Sequence, residues 1–182
     1  VPVVTISDTE GVLIDSRLAS GAVDMTWTTN VGSFPNPTGN LISSFSSYGL
    51  AADLSLKPNI GAPGGLIYST YPLELGGYAT LSGTSMSSPH TAGGAALVLQ
   101  AVPSVNAQDM RDRLQNGANP KVWSGNPGTG LLDFVHRQGA GMLDLVQAVE
   151  SSTTIQPGEM ALGESAGGAV TKTLTFKNIG LL

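Results

Sequence analysis

Ser82-Gly83-Thr84-Ser85-Met86-Ser87-Ser88-Pro89-His90 runs directly into the apolar stretch Thr91 to Val102. The spacing predicts a helix over about 87–101. Proline is best tolerated in a first turn, where its missing N–H costs least, so Ser85 is expected at or just before the helix N-terminus. Free backbone N–H groups and the helix dipole both favour negative charge at that place. A serine hydroxyl needs a base to take its proton and donors for the oxyanion that forms. Ser85 has part of the second requirement in its own N–H, and Gly83 lets backbone or substrate come close. Position alone leaves a simpler reading open, because serine at a helix start is usually a cap.

Gly93 and Gly94 lie inside this helix, each costing about 1 kcal/mol against alanine. The expected compensation is close approach of another backbone, hence a buried helix. Working outward, Lys57-Pro58-Asn59-Ile60-Gly61-Ala62-Pro63-Gly64-Gly65 is a loop shaped by its prolines and glycines, and the residues from Gly32 to Gly49 form a polar loop. Upstream, Val1–Ile6 and Ala22–Thr29 read as strands around a helix from about Thr9 to Ala19, capped by Asp8 and closed by Gly21. Downstream, helices are expected over about 104–116 with Ser104 as N-cap and over 142–149 after Gly139-Ala140-Gly141. Composition shifts after Glu150, and Val170 to Phe176 alternates as a half-buried strand does.

The segment Gly83-Thr84-Ser85-Met86-Ser87-Ser88-Pro89-His90 resembles the nucleophile signature of the subtilisin-like serine proteases, Gly-Thr-Ser-Met-Ala/Ser-x-Pro-His. Phe45-Ser46-Ser47-Tyr48-Gly49 is similar to the family's Phe-Ser-x-x-Gly loop. Lys57 to Gly64 is similar to its Lys-Pro-Asp-Ile-x-Ala-Pro-Gly loop, with Asn59 where the family has Asp. Gly139-Ala140-Gly141-Met142 through Ala148 resembles its closing helix. The resemblance implies an α/β fold, the C-terminal portion of a doubly wound parallel sheet over residues 22–150. It further implies that 1–21 end a protease-associated insert, and that 151–182 are a linker and the first strands of a fibronectin-like β domain.

The implied activity is peptide-bond hydrolysis through an acyl-enzyme on Ser85. Gly83 and Thr84 would shape the turn, and the Ser85 N–H would be one oxyanion donor. Thr84 as a plain helix cap is the competing assignment. The family's Asp, His and oxyanion Asn come earlier in the chain than its serine. Here the two histidines, His90 and His136, both follow Ser85. His90 lies about 140° around and about 7.5 Å along the same helix, and the family's histidine at this position is structural. His136 with Asp133 could in principle form a triad in another chain order. None of the nine asparagines, Asn30, Asn40 and Asn59 among them, stands in a segment like the family's oxyanion loop. The missing groups are therefore expected upstream of Val1, and the isolated chain is expected to be inactive. A non-catalytic adhesion or interaction module on the same scaffold is the alternative.

Composition narrows the partners. Apolar residues are 41% of the 182 and charged residues 12%, so a core can be buried and disorder is disfavoured. The net charge of −5 comes without any basic cluster, which disfavours nucleic acid. There are no cysteines, so thiolate metal sites and disulfides are excluded. No carboxylate-rich loop suggests a metal, and no cofactor is expected. No apolar run is long enough to span a bilayer. Polypeptide substrates and the remainder of the chain's own catalytic domain are the expected partners, outside the cell or at its surface. Trp27, Tyr68, Tyr71 and Tyr78 could line substrate subsites, with core packing the preferred assignment for most, and Asp109, Arg111, Asp112 and Arg113 read as a solvated helix face.

Overall fold

A computed structural model describes residues 7–24, 26, 36–162 and 167–180. The strand expected over 1–6 lies outside these residues, as do Trp27 and half of the strand expected over 22–29, whose described residues 22–24 and 26 are not in a strand. The chain divides into two compact units, 1–36 and 37–182.

The first unit contains helix α1 (Asp8–Leu18). Its cap is Ser7 rather than Asp8. The Ser7 hydroxyl accepts the Glu10 N–H at 3.3 Å, and the Glu10 carboxylate accepts the Ser7 N–H at 2.8 Å. This reciprocal box satisfies two donors that a helix start leaves open. The Ser7 backbone N–H, then its hydroxyl, hold the Glu10 carboxyl below its ordinary range.

In the second unit every named strand pairing is antiparallel. β1 (Gly49–Leu50) pairs with β2 (Leu56–Lys57), β3 (Ile67–Thr70) with β4 (Tyr78–Leu81), and β5 (Thr153–Gln156) with β6 (Thr175–Asn178). The parallel sheet expected from the sequence is thus not formed among the described residues, whose single parallel contact is the bridge Gly61–Met142. The physical reason is connection length. Residues 71–77 can close a hairpin between β3 and β4, whereas parallel neighbours need a crossover of about a dozen residues or more. Tyr68 and Tyr78 stack diagonally across this hairpin, centroids 5.5 Å apart, but are 70% and 59% exposed, so they are not core aromatics.

The helices supply the core. α2 (Thr84–Ala101), α3 (Ala107–Asn116) and α5 (Leu145–Glu150) meet at Val98, Leu114 and Ala148, flanked by Ile60, Ala95, Met110, Leu143, Leu145 and Val149. α3 is capped by Asn106, whose side chain accepts the N–H groups of Gln108 and Asp109, and not by Ser104. α5 begins after Asp144, which caps the Gln147 N–H. α4 (Val135–Gln138) is a single turn.

Two expectations about these helices change. α2 is half-covered: Gly94 and Val98 are its buried residues, while Leu97 and Leu99 are exposed. The Gly94 site faces the methyl groups of Leu143 and Leu145, 2.9 Å from where a Cβ would stand, rather than another backbone, and Gly93 has open space among the described residues. The charged face of α3 is not solvated throughout. Asp112 is 3% exposed, and Arg113 donates to the carbonyls of Ala148 and Val149 at 2.5 and 2.9 Å.

The two glycines should therefore respond oppositely in the 182-residue chain. Gly93→Ala is expected to raise stability by up to about 1 kcal/mol through helix propensity. Gly94→Val is expected to lower it by about 1–3 kcal/mol through overpacking against Leu143 and Leu145. Denaturant midpoints check both. For α1, a depressed carboxyl pKa means the cap is intact above the unfolded value and is lost as pH falls through the folded one. An acid titration followed at the Ser7 amide should show the cap releasing there, and Glu10→Ala should remove that transition.

Candidate active site

The turn before α2 is built by backbone contacts. The Gly83 N–H donates to the Gly64 carbonyl at 2.8 Å, and the Gly83 carbonyl accepts the Met86 N–H at 3.1 Å. The Ser82 hydroxyl accepts the Leu66 N–H at 2.8 Å, fastening the same two segments a second time. Gly64 is buried. A Cβ there would collide with the Ser87 hydroxyl and lie 2.7 Å from the Gly83 carbonyl oxygen. Only glycine lets the loop approach this closely.

Gly83 is the N-cap of α2 and offers no side chain as a cap. Thr84 is the first helical residue, so it is not the cap. Ser85 is the second, and it is exposed. In this position a backbone N–H has no acceptor within its own helix. Hydroxyl and free amide thus belong to one residue at the positive end of an 18-residue helix. Pro89 falls in the second turn rather than the first. The helix bond it cannot make is the one to the carbonyl of Ser85 itself.

Neither histidine hydrogen-bonds to Ser85 among the described residues. His90 is exposed farther along α2. His136 stacks on Phe134 with centroids 5.3 Å apart and tilts against Tyr48 at 6.0 Å. Asp133 does not orient it. That buried carboxylate accepts the Phe134 N–H at 2.8 Å and pairs with Arg137 at 3.4 Å. The rival triad of Ser85, Asp133 and His136 is not assembled. Asn59 is also committed elsewhere, accepting from Lys57 Nζ at 2.8 Å and donating to Glu159. Sequence reasoning does not single out Gly64 and Ser82 as supports of the turn before α2. The available signal was Pro63-Gly64-Gly65, a backbone-shaped stretch whose partner the sequence does not name.

The profile of the Subtilase family (Peptidase S8) matches residues 12–141. The chain belongs to that family of subtilisin-like serine proteases. It is 31% identical over 183 residues to the minor extracellular protease Vpr of Bacillus subtilis (strain 168), covering 97% of this chain and 22% of that protein. It is 40% identical over 119 residues to subtilisin DY of Bacillus licheniformis, covering 65% of this chain and 36% of that one. Among solved structures, the prenylagaramide maturation protease PagA superposes with a TM-score of 0.46 at 29% identity, over 64% of this chain and 39% of PagA. The chain therefore spans about a fifth to a third of the curated relatives named here.

Gly64→Ala should break the Gly83 to Gly64 hydrogen bond. Amide exchange at Gly83 is expected to accelerate at least tenfold while Val98 in the same helix stays protected. Equal exchange at Gly83 in the two proteins would contradict the close-approach account.

Proposed function

We propose that Ser85 is the nucleophile of a serine endopeptidase that cleaves polypeptides through an acyl-enzyme. The observation that carries this reading is the exposed Ser85 hydroxyl beside its own free N–H at the start of α2, in a Subtilase-family chain. Attack by Oγ on a peptide carbonyl would place the developing oxyanion near that N–H. The proton would pass to a histidine held by an aspartate, and an asparagine would complete the oxyanion site. All three groups would come from sequence outside these 182 residues. Gly83 serves as the tight backbone entry to the helix, and Thr84 as its first residue.

The same reading assigns 1–21 to the end of a protease-associated insert, 22–150 to the catalytic domain and 151–182 to a linker and the opening strands of a fibronectin-like domain. A location outside the cell or on its surface is supported by the extracellular assignment carried in the name of the Bacillus relative. No helix among the described residues is long and apolar enough to cross a membrane.

In the natural full-length protein, a fluorophosphonate should label Ser85, and Ser85→Ala should abolish both labelling and hydrolysis. Labelling that persists in the alanine variant would refute the assignment. Absence of labelling in a well-folded parent would favour the non-catalytic module. The purified 182-residue chain should not turn over casein, and steady turnover by it would show that the base lies within these residues.

A further inference from the structure

The C-terminal strand pair is tied to α3 by polar side chains that take the place of a neighbouring strand. Asn116 Nδ2 donates to the Ile155 carbonyl at 3.0 Å, and Asn116 Oδ1 accepts the Ile155 N–H at 2.7 Å. Asp109 accepts from Gln156 Nε2 at 2.8 Å, and Asp112 accepts the Gly158 N–H at 3.0 Å. Beyond α3 this segment reaches one residue further, to Glu159. Its Oε2 accepts Asn59 Nδ2 at 2.5 Å and Gln115 Nε2 at 2.9 Å.

Asn59 is satisfied in a way that a carboxylate could not match. On one side its oxygen meets the Lys57 ammonium, and on the other its N–H₂ meets the Glu159 carboxylate. An aspartate here would set one carboxylate against another, which disfavours both charges. Asparagine in place of the family's aspartate therefore fits a partner a hundred residues away.

The loop that Asn59 begins ends at the nucleophile turn. The Asn59 carbonyl accepts the Ala140 N–H at 3.1 Å. Gly61 then exchanges hydrogen bonds with Gly141 at 2.8 Å and Leu143 at 2.7 Å. Gly139 packs so tightly on Pro58 and Asn59 that a Cβ would overlap their backbone. Three residues past Gly61, Gly64 holds Gly83. A path of hydrogen bonds and close packing thus leads from Glu159 to the entry of α2.

We propose that Glu159 is a positioning residue for Ser85: through Asn59 it fixes one end of the 57–64 loop, whose other end sets the N-terminus of α2. This rests on Ser85 being the nucleophile. The test uses the natural full-length protein and five variants, Ser85→Ala among them. Glu159→Ala should lower kcat about tenfold or more with KM little changed, since small misplacements near reacting atoms cost rate rather than binding. It should also speed amide exchange at Gly61 and Gly83 about tenfold while Val98 stays protected. Glu159→Gln keeps an acceptor oxygen and should stay within about twofold of the parent. Asn59→Asp should lose as much as Glu159→Ala. Asn59→Asp combined with Glu159→Gln reverses donor and acceptor, and should recover most of the rate.

Unchanged kcat and unchanged Gly83 exchange in Glu159→Ala would overturn the proposal. So would a Glu159→Gln loss as large as that of alanine, or a double variant no better than Asn59→Asp alone. Should Glu159→Ala fail to fold, the glutamine variant and the pair exchange still decide the matter. If Ser85→Ala leaves turnover intact, the nucleophile reading falls by itself, and the exchange data still report whether Glu159 steadies Gly83.

Discussion

The site depends on one backbone hydrogen bond, from the Gly83 N–H to the Gly64 carbonyl, made where no side chain fits. It joins a loop of prolines and glycines to the first turn of α2. Because Gly64 lacks a Cβ, the loop lies against the Ser87 side chain and the Gly83 carbonyl. The helix can then begin at Thr84 without a side-chain cap. A serine at the second helical position carries an amide hydrogen with no intrahelical partner. In most helices that vacancy is filled by a cap or by water. Here it stands next to a hydroxyl, and such an N–H is the kind of donor an oxyanion requires.

The rest of the second unit acts as a frame for this turn. Val98, four residues past Gly94 on the covered side of α2, anchors the helix on Leu114 and Ala148. Leu143 and Leu145 occupy the space above Gly94. The segment 138–143 grips the loop at Asn59 and Gly61, while α3 carries the C-terminal strand pair on Asp109, Asp112, Gln115 and Asn116. Several links in the frame are side chain to backbone, and they satisfy backbone groups that burial takes from water. Such links are directional, so they fix geometry more tightly than the small apolar core could alone.

The turn before α2 was readable from the sequence because its signature is local. Gly83, Thr84, Ser85, Met86 and Pro89 are adjacent, and their order carries the resemblance to subtilisin-like proteases. Helix α2 followed from its apolar run, although its start lies three residues earlier than the proline suggested. What the sequence did not disclose is long-range. Glu159 is one acidic residue in a segment that reads as the start of a separate domain, and nothing near it signals Asn59. Asp112 looks like part of a solvated face until Gly158, just past β5, packs on it and donates to it. The cap residues of α1 and α3 were missed by one or two positions, because several polar residues near a helix start can serve and tertiary packing chooses among them. The alternation over 170–176 misplaced its strand as well: β6 runs 175–178 with all four residues exposed, because periodicity carries neither the register nor the direction of the partner.

The most direct measurement is a crystal structure of the natural full-length protein after reaction with a fluorophosphonate. The account predicts a phosphorus–oxygen bond to Ser85 Oγ, with a second phosphonyl oxygen about 3 Å from the Ser85 backbone nitrogen and the bond between Gly64 and Gly83 intact. An adduct on another residue, or a phosphonyl oxygen turned away from that nitrogen with the turn rearranged, would contradict it.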